Sequence, residues 1–177
     1  MLEATVIAIA FFPIGVLYAS FAEWAIHKRL MHQPILGIQH FYFGHAKVHH
    51  GVYKADDTYV VGDRPPRELT LAWWAMPFPI MLQIPLLAAF ALLISLPGMV
   101  GFAAALVLYQ FSYEYLHYCM HVPRNRWFER TRAFIWLNDH HFEHHRKHDN
   151  NLNIVLPLFD YLLRTRVRPQ AAVFAEG

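Results

Sequence analysis

Five histidines, His140, His141, His144, His145 and His148, crowd into one short stretch of this sequence, DHHFEHHRKHDNNLN. On a helix, His141, His144, His145 and His148 fall at i, i+3, i+4 and i+7, which is one face. A buried imidazole has two ring nitrogens to satisfy, and a shared metal ion satisfies several rings at once. The plain alternative is a solvated, histidine-rich surface helix. Three further groups argue against it: His27-x4-His32, His45-x3-His49-His50 and His117-x3-His121, with His141-x2-His144-His145 as the fourth. Spacings of three and four place His45 with His49, and His117 with His121, on shared helical faces. His27 and His32 are about 140° apart on a regular helix, so either the helix ends between them or they serve different ions. Ten imidazoles exceed the roughly four to six ligands of a single ion, and two ions with about five nitrogens each is the natural count. Zinc, iron, copper and nickel all suit imidazole. Carboxylates near the groups are few. Glu23, Glu114, Asp139 and Glu143 are expected to accept histidine N–H bonds rather than to bind metal, and Glu23 serves equally well as an interfacial charge.

The elements that must position these residues are membrane helices. The chain has 177 residues, is 56% hydrophobic and only 16% charged, and carries a net charge of +2, too small to argue for nucleic acid. One cysteine, Cys119, excludes an internal disulfide and a cysteine-based zinc site. Uncharged or nearly uncharged runs predict spans at about 4–26, 71–96 and 99–116, with Pro97-Gly98 as the turn of a helical hairpin. Pro77, Pro79 and Pro85 interrupt the second run, which is one kinked span or a broken one. No basic region precedes the first run, so a cleaved signal peptide is not expected. The expected architecture is all-α: one domain over 1–177, about three spans (four if the second run is broken), and a histidine-rich helical cap built from 27–70 and 117–177. Three crossings place every histidine and all fifteen lysines and arginines on one side, which the positive-inside rule makes cytoplasmic.

The order H-x4-H, H-x3-HH, H-x3-H, H-x2-HH in a short helical membrane protein resembles the fatty acid hydroxylase superfamily, with its fatty acid hydroxylases, sterol desaturases and carotenoid hydroxylases. The resemblance runs from His27 to about Thr165. It includes the closing stretch NLNIVLPLFDYLLRT, similar to the family's NFG, PLWD and FGT-like end. This sequence departs from the family in three places. Its second group has three residues rather than the commoner two before the HH pair. Asn153 stands where the closing motif has glycine. His40, His140 and His148 lie outside the ten family positions.

The resemblance implies metal ligation by His27, His32, His45, His49, His50, His117, His121, His141, His144 and His145. It also implies two iron ions (zinc being an alternative in isolated protein), dioxygen as co-substrate, and hydroxylation or desaturation of a lipid reaching the site from the bilayer. Trp73, Trp74, Phe78, Phe111 and Tyr115 are candidates to line that path. No haem-type domain or glycine-rich nucleotide loop occurs in the sequence, so electrons are expected from a separate protein. The basic runs Arg124, Arg126, Arg130, Arg132 and Arg164, Arg166, Arg168 would meet anionic headgroups or an acidic electron carrier. Two other classes compete. A metal transporter needs ionisable residues within its spans, and here the histidines lie at one end. A zinc hydrolase acting through metal-bound water needs fewer histidines.

Overall fold

The structure is a computed structural model that describes residues 1–62 and 78–168. Among these residues it is helical, without strands. Helix α1, Leu2–Ile26, continues without a break into a π-helical turn, His27–Met31. After a loop come α2, Gln39–Tyr42, a second π-helical segment, Phe43–His49, and a short α3, His50–Val52. Then follow α4, Phe78–Met81, α5, Ile84–Leu93, and the long α6, Leu96–His121. A 3-10 turn, Trp127–Arg130, leads to α7, Arg132–Arg146, and α8, Leu158–Leu162, closes the order.

Two helical stretches, Leu2–Met31 and Leu96–His121, are long and apolar enough to cross a membrane. At 1.5 Å per residue each exceeds the roughly 30 Å of a hydrocarbon layer. Their outer faces carry exposed Val6, Ile9, Ile14, Leu17 and Phe21 on α1 and Val100, Leu108 and Phe111 on α6. Those are the side chains a lipid environment accepts. Part of the predicted span 71–96 lies outside the described residues. Its described part is α4 and α5, separated by Leu82 and Gln83.

Helices α1 and α6 pack closely and run parallel, because Ala8 lies against Gly101, Gly15 against Ala105, and Glu23 meets Tyr109. A Cβ on Gly101 would stand 1.9 Å from the carbonyl oxygen of Ala8, so only glycine permits this approach. Pro97-Gly98 is not the turn that the sequence suggests. The helix begins at Leu96 with Ser95 as its cap, whose Oγ accepts the Gly98 amide at 3.1 Å. Proline fits a first helical turn, where its missing N–H would be unpaired anyway. Gly98 is needed there because a Cβ would lie 2.9 Å from the Phe11 ring.

A hydrophobic core gathers Tyr113, Cys119 and Met120 from the C-terminal half of α6 with Tyr59, Phe134, Phe142 and Ile154. Cys119 is an apolar filler in it. Helix α6 delivers its C-terminal end to this core, and α1 meets it through Glu23, whose carboxylate accepts the Ile154 amide.

Candidate metal centre

The ten histidines named from the sequence meet in two groups. Group A holds His27, His32, His45, His50 and His144; group B holds His49, His117, His121, His141 and His145. Within each group one nitrogen per ring lies within 4.8 Å of all the others. All are buried except His32, which is intermediate. His40, His140 and His148 belong to neither group.

Local winding decides which rings join. His27 and His32 share group A although they are five residues apart. The helix does end between them, at Met31 with His32 as its C-cap, and its last turn is wound as a π-helix at His27–Met31, so that both rings join one group. A π-turn closes i→i+5 and so contains one more residue than an α-turn, which brings i and i+5 toward one face. His45 and His50 repeat the offset on the π-helical Phe43–His49 segment. His45 and His49, expected to act together, are therefore divided between the groups. On the α-helical α6 and α7 the ordinary rule holds, and His117 with His121 and His141 with His145 enter group B. His144 turns to group A. His148 lies past the end of α7 at Arg146 and is not the fourth member of a helical stripe.

The rings are oriented by main-chain carbonyls. Nδ1 of His27 donates to Leu152 O at 2.5 Å and Nδ1 of His144 to Asn150 O at 2.8 Å. Nδ1 of His121 donates to Tyr59 O at 2.7 Å and that of His145 to Tyr53 O at 2.6 Å. A carbonyl only accepts, so these rings carry their proton on Nδ1 and present a lone pair at Nε2. The Nε2 atoms then crowd together. His27 and His45 are 2.8 Å apart, His144 and His50 3.1 Å, His145 and His141 3.0 Å, and His121 and His141 3.2 Å. A neutral ring with one N–H cannot satisfy several such neighbours, whereas a cation among five lone pairs satisfies all of them. The donor set thus fits a divalent metal in each group. Burial, reinforced by neighbouring imidazoles, holds His45, His141, His144 and His145 neutral by pushing their pKa well below the usual value. Neutral rings are what a metal requires.

One of the four acids, Glu23, plays a different part from the one expected. Glu23 is bonded to no histidine: its carboxylate accepts from Tyr109 Oη at 2.6 Å, Asn153 Nδ2 at 2.9 Å and the Ile154 amide at 2.6 Å. Glu114 accepts from Gln110 Nε2 at 3.1 Å, and Glu143 from Arg146 at 2.9 Å. Asp139 is buried on α7. The acid that matters to the ring-orienting loop is Asp160, which residue spacing did not single out. It accepts the amides of Leu152 and Asn153, Thr165 Oγ1 at 2.6 Å and His140 Nε2 at 3.1 Å. Burial opposes its charge, but these donors hold its pKa below the usual value. Asp160 thereby fixes the loop whose carbonyls face His27 and His144, and His140 serves the loop rather than a metal. Asn151 adopts φ 54° and bonds to Val167 and to His140 O. Asn153, in the glycine position of the closing motif, bonds to Ser20 O and Glu23 and ties the loop to α1. The sequence signal for all three was the closing stretch itself.

An apolar pocket reaches group A. It is lined by Ala19, Ala22, Glu23 and Ile26 of α1, by His27, Leu30 and Met31 of the π-helical turn, by Phe78, Pro79, Ile80, Leu82 and Gln83, by Leu106, Tyr109, Gln110 and Tyr113 of α6, and by Phe41. Phe78 lines it as expected. Phe111 and Tyr115 do not: they are 60% and 52% exposed on the outer face. Trp73 and Trp74 lie outside the described residues.

No curated protein matches the sequence. Among solved structures the chain is similar to the hydroxylase domain visible in full-length Scs7p, with a TM-score of 0.62 at 21% identity, covering 94% of this chain. It spans 58% of that protein, and at this identity the likeness shows the fold alone. The sequence itself matches the fatty acid hydroxylase family over residues 12–165. That match takes in every histidine of both groups and the loop that orients them, so the chain belongs to the fatty acid hydroxylase family.

Proposed function

We propose that the chain is a membrane-bound lipid hydroxylase in which groups A and B hold two iron ions. The observation that carries this reading is the double position of His27, a member of group A and part of the pocket wall. An alkyl chain in the pocket would lie beside the metal pair. When bound, two iron ions would supply dioxygen reduction: one oxygen atom enters a C–H bond and the other leaves as water, with two electrons and two protons consumed. The protein's own residues set the geometry. Carbonyls of Leu152, Asn150, Tyr59 and Tyr53 fix the rings, Asp160 and Asn151 fix the closing loop, and apolar walls keep water from the reacting carbon. The lipid enters from the bilayer, the electrons come from an external carrier, and the histidine side faces the cytoplasm. The fifteen basic residues on that side support the last point.

Expression of the chain, with and without His121→Ala or His144→Ala, followed by mass spectrometry of lipid extracts under isotopically labelled dioxygen, tests the proposal. Gain of one labelled oxygen, lost in both variants while the protein still inserts, is the expected result. Loss of two hydrogens without label would assign desaturation instead. Product formed without dioxygen, or full activity in both variants, would sink the oxygenase reading.

A further inference from the structure

The two histidine groups meet water differently. All five rings of group B are buried, whereas His32 of group A is partly exposed. Beside it stands His148, exposed, two residues past the end of α7. Its ring centroid is 4.3 Å from that of His50, 5.9 Å from that of His32 and 6.4 Å from that of His144, three of the five members of group A. Its nitrogens lie outside the tight set of group A, so it is not a sixth resident ligand.

A hydrated divalent ion cannot exchange all its waters for buried imidazoles in one step, and a workable site needs a path of access. A water-accessible imidazole touching the buried set lets the exchange go in stages, because an ion can bind it while still partly hydrated. We propose that His148 is an exchange ligand: it takes a divalent ion from water and passes it through His32 and His50 into group A. Group A is then the exchangeable site and group B the slow one. The inference rests on the reading that both groups bind metal, but not on the reaction.

The full chain in detergent micelles, loaded with zinc and challenged with isotopically distinct zinc, tests it through exchange kinetics alone. Wild-type protein should exchange in two phases of equal amplitude. His148→Ala should slow the fast phase by roughly tenfold, the scale at which groups supporting a metal site act, and still hold two ions at equilibrium. Lys147→Ala, at the exposed neighbour, should leave both phases unchanged. A single phase in the wild type, an unaltered fast phase in His148→Ala, or loss of one ion from that variant would overturn the inference. A wild-type chain that binds fewer than two ions would overturn the metal reading beneath it as well.

Discussion

His27, His121, His144 and His145 each give their Nδ1 proton to a main-chain carbonyl, so loop shape, not a neighbouring acid, sets their tautomer. This explains an uneven legibility at the level of single residues. The ten positions stand out in the sequence because histidine is distinctive, but a carbonyl belongs to every residue and leaves no mark. Glu23 was a visible candidate for that work, and its carboxylate is bonded instead to Tyr109, Asn153 and the Ile154 amide. The rings also set a pH dependence. His45, His141, His144 and His145 have pKa values lowered in the fold, chiefly by burial. Below the free value of about 6.5 the unfolded chain binds more protons than the native one, so native stability is complete above that pH and lost beneath it. Metal-free protein should therefore melt at progressively lower temperature between about pH 7 and pH 5. Protein loaded with metal should resist the change until protons displace the ions. A flat melting profile for the metal-free chain would contradict the burial of neutral rings.

Helices here are more informative where they deviate than where they are regular. The additional residue in His45-x3-His49-His50 departs from the family pattern, and the π-helical winding of Phe43–His49 absorbs it. Deleting Lys47, whose side chain is exposed, restores two intervening residues and should let the segment wind as an ordinary helix. The shortened chain is expected to bind two metals per molecule, measured by elemental analysis, and loss of either would show that the winding has another cause. The spans themselves were legible as apolar runs, because lipid-facing side chains must be apolar along their whole length. Their ends were not: Pro97-Gly98 carries the composition of a turn but occupies a helix start, where proline is tolerated and glycine is demanded by Phe11. At Gly101 an added Cβ would come within 1.9 Å of the Ala8 carbonyl oxygen on α1. Gly101→Leu should cost about 3 kcal/mol or more, seen as a loss of folded protein in detergent.

In the molecule as a whole, two parallel helices are each long enough to cross a membrane. Parallel α1 and α6 both end at the histidines, so if both span the bilayer, residues 32–95 carry the chain back. In a Cys119→Ala background, a membrane-impermeant thiol reagent applied outside cells should label Glu3→Cys and Ile94→Cys but not Lys147→Cys. Labelling of Lys147→Cys together with Glu3→Cys would rule out this topology.

The pocket between α1, α4 and α6 follows α1 and its π-helical end from Ala19 to Met31, about 18 Å of axis. Laid along that wall, an aliphatic tail would be gauged against a rigid edge, with the carbon offered for attack fixed by how far the tail has travelled before it stops. Ala22, on the same wall, is where a bulkier side chain would shorten the gauge. Ala22→Phe should shift product from longer to shorter tails, read from the lipid profile, with the metal content of the protein unaltered.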